Sequence, residues 1–178
     1  MDLRAVLPLH GEDCLGVATV GVAIGGFMGT GKSTVGAILA QKLSLPFVDM
    51  DDVLTGRFGP IADQFSRDGE VIFRDRERAL VRELADGVAR VVSTGGGVWV
   101  DRGNRALLAT HYRTVVLTAP LDVLRKRLRE DRSRPLWDDA VRARFFSRRE
   151  AYADADLHID VTALDPPGVV ASILKELQ

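Results

Sequence analysis

The sequence predicts an α/β fold in which a parallel sheet is covered by helices. Three observations carry that prediction. Five short apolar runs alternate with longer amphipathic stretches, the order expected of strand–helix–strand units. Valine and isoleucine dominate several of the runs, as in strands buried on both faces. A glycine-rich turn, "GGFMGTGKST" (25–34), joins the first run to the first amphipathic stretch.

In chain order, residues 1–20 precede the first strand and read as a loose extension or an added edge element. "GVAIGG" (21–26) is the first strand, followed past the turn by a helix at 32–43. "LPFVDM" (45–50) is the second strand. Residues 51–68 read as an insertion, punctuated by Gly56, Gly59 and Pro60. A helix is expected at 69–87, then the strand "ARVVST" (89–94) and a helix at 102–110. "RTVVLTA" (113–119) is the fourth strand and 120–130 the next helix. Residues 131–139, "DRSRPLWDD", are polar and contain Pro135, so they are expected to form a mobile loop. A helix at 139–153, the strand "LHIDVT" (157–162) and a helix at 167–177 complete the chain. No internal repeat or low-complexity segment interrupts the pattern.

The totals narrow the function. With 178 residues, 46% of them hydrophobic, the chain suits one domain with a sizeable core, running from 21 to 178. A formal net charge of -1 argues against a nucleic-acid or membrane-surface protein, whose footprint is basic overall. Cys14 is the single cysteine, so no internal disulfide can form and a reducing compartment fits. No apolar run approaches the roughly 20 residues that span a bilayer. The opening "MDLRAVLPLHGEDCLG" has too short an apolar stretch for a signal peptide, so a cytoplasmic location is expected.

The turn has a specific chemistry. Gly26, Gly31, Lys32 and Ser33 satisfy G-x-x-x-x-G-K-[ST] between a strand and a helix, the context that motif requires. Glycines let successive backbone N–H groups curl round a phosphate, and the helix N-terminus adds partial positive charge. Lys32 can reach the β- and γ-phosphates, and the Ser33 hydroxyl can ligate Mg²⁺. The expected ligand is a nucleoside triphosphate. A guanine-specific switch would need Asn-Lys-x-Asp, but Asn104 is the only asparagine and Arg105 follows it. A motor would carry an apolar strand ending in Asp-Glu, whereas the later strands end "VVSTGGG" and "VVLTAP". A kinase for a small acceptor remains, and it needs a second pocket.

Candidate parts of that pocket follow. "DMD" puts Asp49 and Asp51 at the end of the second strand, and alternation along an extended segment would aim both to one side. One could serve a metal and the other a substrate hydroxyl, while Asp52 reads as solvated. Arg74, beside Phe73, reads equally as a surface ion pair or as a site residue. "STGGG" (93–97) permits close backbone approach to a ligand, or is a plain sharp turn. Residues 125–149 hold ten Lys or Arg against four acidic residues. Beside a phosphate loop, that density favours local anion binding over a nucleic-acid surface. His10, His111 and His158 lack metal-ligand spacing, and Trp99 reads as packing.

The set "GFMGTGKSTVG", "DMDD", "IADQFSRDGEVIFRDRE", "STGGGV", "RLREDRSRPLW" and "RREAY" resembles the shikimate kinase family in order and approximate spacing, over residues 21 to about 160. The resemblance implies ATP-dependent phosphorylation of the 3-hydroxyl of shikimate. It also implies a nucleoside-monophosphate-kinase-like P-loop fold with a five-stranded parallel sheet, a substrate-binding region at about 50–80 and a lid at about 131–146. Gly29, Thr30, Gly31, Lys32, Ser33 and Thr34 would hold the ATP phosphates. Ser33 would bind Mg²⁺, with Asp49 helping through water. Asp51 would hold the shikimate hydroxyls and accept the attacking proton. Arg74 and Arg148 would bind the carboxylate, and Gly95, Gly96 and Gly97 a ring hydroxyl. Arg127 would pack on adenine, and Arg134 would close over the phosphates, making Lys32, Asp51 and Arg134 the catalytic set. The family also suggests a monomer.

Trp137 stands where an aliphatic residue usually ends the lid motif, the segment after Tyr152 is one residue shorter than in some members, and Asp165 is assigned no ATP contact. Arg148 is chosen over Arg149 on two grounds. It lies four residues before Tyr152, and it shares a helix face with Val141, Phe145 and Tyr152. Two other readings stand beside this one: a kinase for a different polyol acid such as gluconate, and a non-catalytic ATP-binding module.

Overall fold

The computed structural model describes the backbone of residues 20–130 and 139–178, and the side chains of 20–128 and 141–178. Five strands run β1 (Gly21–Gly26), β2 (Phe47–Asp49), β3 (Val91–Ser93), β4 (Tyr112–Thr118) and β5 (Leu157–Asp160), and form one sheet in the order β2-β3-β1-β4-β5. All four pairings are parallel, with Ile24 opposite both Ser93 and Val115. β1 is buried along its whole length, which is why it reads as a continuous apolar run. The chain passes from one side of β1 to the other after β3. That crossing opens a crevice at the C-terminal ends of the strands, where open α/β sheets bind ligands.

Helices cover both faces. α1 (Lys32–Leu43) and α7 (Pro166–Glu176) pack against one face, in a core that includes Val22, Ile24, Leu39, Leu117 and Ile173. Between them in sequence run α2 (Met50–Phe58), α3 (Ile61–Leu84), α4 (Arg102–His111), α5 (Leu121–Glu130) and α6 (Asp139–Tyr152). α2, α3 and α4 contribute Leu54, Leu80 and Leu108 to the core on the opposite face, with Trp99 only 1% exposed among them. Trp99 is therefore packing, as the sequence reading expected. Its Nε1 donates to Thr94 Oγ1 at 2.7 Å, so burying the ring leaves no orphan donor.

Residues 51–68 depart from the expected insertion: they are helical except around Gly59 and Pro60. Asp49 caps α2, its carboxylate accepting the Asp51 N–H at 2.9 Å, and Asp51 and Asp52 place negative charge in the first turn. Gly59, at φ 88°, ends α2, and α3 starts directly after Pro60. Gly69 (φ 81°, ψ 169°) is non-helical and divides α3 at a kink into two helical segments, the second of which matches the helix expected from 69. The sequence signals at Gly59 and Pro60 separate two helices rather than mark a loop. The second, third and fifth strands are each shorter than expected, at three, three and four residues.

Candidate active site

The phosphate loop lies between β1 and α1, at the crevice. Gly26 (φ 138°), Gly29 (φ 82°) and Gly31 (φ 87°) hold backbone angles that a side chain would strain. A Cβ on Gly26 would also lie 2.5 Å from the Leu117 carbonyl oxygen, so the loop sits tightly on β4. Thr30 Oγ1 donates to the Phe27 carbonyl at 2.8 Å, and Lys32 Nζ to the same oxygen at 3.1 Å. These two bonds pin the loop across its own mouth. Ser33 and Thr34 are exposed in the first turn of α1, which begins without a side-chain cap. Its first N–H groups are thus open to an external anion.

The second group of residues gathers round the glycine run after β3. Asp49 is buried at the end of β2. Asp51 is helical, not extended, so the two carboxylates reach the crevice by a cap and a helical turn rather than by strand alternation. Arg74, on α3, makes the ion pairs of the first reading and stands beside Gly97, where the second would have it. Its guanidinium pairs with Glu77 at 2.6 Å and with Glu70 at 2.9 Å, and it lies over the Phe73 ring, 5.5 Å from the centroid. Burial works to lower the Arg74 pKa, but the two carboxylates raise it more.

Glu77 is a site residue that the sequence reading missed. It is 2% exposed, and burial, which outweighs Arg74, pushes its carboxyl pKa up. The available signal was its i,i+3 spacing from Arg74 in "FRDRE".

From the other side, α6 brings in Arg148. Val141 and Tyr152 are buried on this helix, Phe145 and Arg148 are half-buried, and Arg149 is exposed. Arg148 stands 5.6 Å from the Phe27 ring centroid and beside Gly96. Burial, with the like charges of Arg74 and Arg144, pushes its pKa down. No carboxylate among the described residues lies within ion-pair distance of it. Tyr152 Oη donates to the Gly96 carbonyl at 3.2 Å, and burial pushes its pKa up to about 12. Arg149 instead lines a cavity of about 560 Å³ bordered by Phe27 and Thr30 of the phosphate loop, Leu121, Phe146 and Tyr152.

Arg127, on α5, donates to the Val161 carbonyl at 2.7 Å, beside the β5–α7 connection. Arg134, Trp137 and residues 1–19 lie outside the described residues. Asp165 caps α7, its carboxylate accepting the Gly168 N–H at 2.9 Å, which gives it a structural role.

Hard oxygen donors suit Mg²⁺, and Ser33 and Asp49 supply a hydroxyl and a carboxylate. No cluster of three or more His, Cys, Asp or Glu able to hold a metal occurs among the described residues.

Comparison with known proteins matches residues 28–178 to the family model described as shikimate kinase. The chain is 44% identical over 158 residues to a shikimate kinase of Geobacter sulfurreducens, covering 85% of this chain and 87% of that one. It is similar to the structure of a shikimate kinase from Acinetobacter baumannii in complex with shikimate, with a TM-score of 0.82 and 30% identity, over 89% of this chain and 92% of that one. A gluconokinase from Sinorhizobium meliloti, with a TM-score of 0.58 and 16% identity over 89% and 95% of the two chains, shares the fold alone.

Proposed function

The chain belongs to the shikimate kinase family, and on that premise we propose that it transfers the γ-phosphoryl group of ATP to the 3-hydroxyl of shikimate, yielding shikimate 3-phosphate and ADP. One observation carries the reading. Arg74 and Arg148 enter from two different helices onto one glycine run, at the same C-terminal end of the sheet as the phosphate loop. Two guanidinium groups so placed suit a carboxylate, which they can bind through charged, directional hydrogen bonds. Arg148, its pKa lowered chiefly by burial and secondarily by Arg74 and Arg144, supports this, because a bound carboxylate compensates both effects. Gluconate, the rival acid, is also a polyol carboxylate, but the family match and the "STGGG" and "FRDRE" segments favour shikimate.

The residue roles follow from charge and position. The phosphates of ATP lie along the backbone N–H groups of Gly29, Thr30 and Gly31, with Ser33 and Thr34 at the helix N-terminus. Lys32 turns from the Phe27 carbonyl to the γ-phosphoryl oxygens as charge spreads there. By the family resemblance, Arg127 would pack on adenine, and Arg134, in the expected lid at about 131–146, would exclude water and steady the transferring group. Asp51 orients the 3-hydroxyl and accepts its proton. Gly95, Gly96 and Gly97 face the ring. Ser33, and Asp49 through water, would hold Mg²⁺, which would supply charge neutralisation at the phosphates.

We take the protein to be a cytoplasmic monomer with one domain at 21–178, acting on neither nucleic acid nor membranes. No helix among the described residues is long and apolar enough to cross a membrane. An ADP-release assay with shikimate, gluconate and quinate tests the reading. ADP release with shikimate well above the other two is expected, and a preference for gluconate, or no acceptor-dependent release, overturns it.

A further inference from the structure

The three glycines at 95–97 invite a question that their chemistry alone does not answer. Glycine is required where φ is positive, yet none of the three has a positive φ. Gly97 sits at φ -85°, ψ -21°, which any residue adopts. Backbone conformation is therefore not why they are glycines. The space a side chain would need is already filled, and by a different pocket group at each position. A Cβ on Gly95 would lie 3.0 Å from Asp51 Oδ1 and 3.0 Å from Glu77 Oε1. One on Gly96 would lie 2.8 Å from Arg148 Nη1. One on Gly97 would overlap Arg74 most severely, 2.6 Å from Cζ and 2.9 Å from Nη2.

We propose that Gly97 is a positioning residue of the acceptor pocket: its missing side chain is the slot in which the Arg74 guanidinium lies, so acid affinity depends on Gly97 through Arg74. Gly95 and Gly96 stand in the same relation to the Asp51–Glu77 carboxylates and to Arg148. The glycine run is thus a mould for the charged side chains that grip the acid, beyond any contact its own backbone makes with the ligand.

The geometry also says what fails when the slot is filled. The group in the way is the far end of a flexible arginine, which can swing aside by side-chain rotation. The fold survives, while the guanidinium leaves Glu77 and Glu70 and loses its place in the pocket. Gly97→Ala should therefore imitate Arg74→Ala in function.

The inference rests on the acid-kinase reading, and a four-way comparison tests it. Gly97→Ala is expected to raise the KM for shikimate roughly 10- to 100-fold, the loss of one charged hydrogen bond. The KM for ATP should stay within about two-fold. Added to Arg74→Ala, the same change should cost no more than about two-fold, whereas added to Arg148→Ala it should keep its full effect. Equal costs in both backgrounds would make Gly97 a structural or backbone-contact residue and overturn the proposal.

A second readout needs no substrate. The Arg74 Nε–H, which donates to Glu70 Oε1 at 3.2 Å, should move in the ¹⁵N spectrum of Gly97→Ala. It should stay in Gly56→Ala, where a Cβ meets nothing within 4 Å. An unmoved Arg74 resonance in Gly97→Ala refutes the slot directly. Failure of the wild type to phosphorylate shikimate would refute the functional reading instead, and the spectrum would still decide the role of Gly97.

Discussion

Replacing Arg148 with alanine should weaken acid binding and spare ATP binding. Arg148 is half-buried, with no carboxylate among the described residues in ion-pair range, and Arg74 and Arg144 repel it. Its charge is held in an unfavourable place until an acid arrives. A hydrogen bond to a charged group contributes about 1.5–3 kcal/mol. Burial, and the repulsion that a carboxylate relieves, put Arg148 in the upper half of that range. A loss of about 2–3 kcal/mol is roughly a 30- to 150-fold rise in the dissociation constant. Thermal unfolding should change little, because the site already works against the guanidinium that is removed. The assay is calorimetric titration of Arg148→Ala and Arg149→Ala with shikimate and, separately, with ATP. Arg149 is exposed and lines the cavity bordered by Phe27 and Thr30 of the phosphate loop, so its variant should bind shikimate as the wild type does, with any loss confined to ATP. A large shikimate defect in Arg149→Ala with a normal Arg148→Ala would refute the reasoning and rotate the functional face of α6 by one residue.

Three further outcomes are expected. Lys32→Ala should lower kcat by roughly 10²–10³-fold while the circular dichroism and melting curve stay native, since Lys32 acts on charge that develops in transfer; activity within a few-fold of wild type would remove it from the catalytic set. Asp51→Asn keeps shape but loses basicity, so kcat should fall by about 10²–10⁴-fold with ATP affinity retained, and an equal loss in ATP titrations would move Asp51 to the nucleotide side. Tyr152 titrates at about 12 in the folded chain against an ordinary 10.0. A raised pKa means that its contribution to stability is complete below pH 10 and is lost as pH climbs towards 12. The stability difference between wild type and Tyr152→Phe should therefore be flat below about pH 10 and shrink above it, and a pH-independent difference would contradict the buried phenol.

What the sequence determined by itself is the local chemistry. The phosphate loop is legible because its glycines, Lys32 and Ser33 act within one turn, where spacing along the chain is spacing in space. β1, β3 and β4 are legible because strands buried on both faces leave continuous apolar runs, whereas the edge strand β5 alternates between buried and exposed residues. α2 and the start of α3 were not legible, because Gly56, Gly59 and Pro60 look alike in a loop and at a helix boundary. Only the Asp49 cap and packing against the sheet decide between the two. The acid pocket depended on tertiary structure most of all. Arg74 could equally have been a surface pair, and it pairs with Glu70 and still lies in the pocket. Glu77 carries no signal of burial in its neighbours, and only the closure of α3 over the glycine run desolvates it. The reason for the glycines themselves lies in side chains far along the chain, at Arg74, 23 residues before Gly97, and at Arg148, 52 residues after Gly96. No local pattern encodes a contact between residues that only the folded chain brings together.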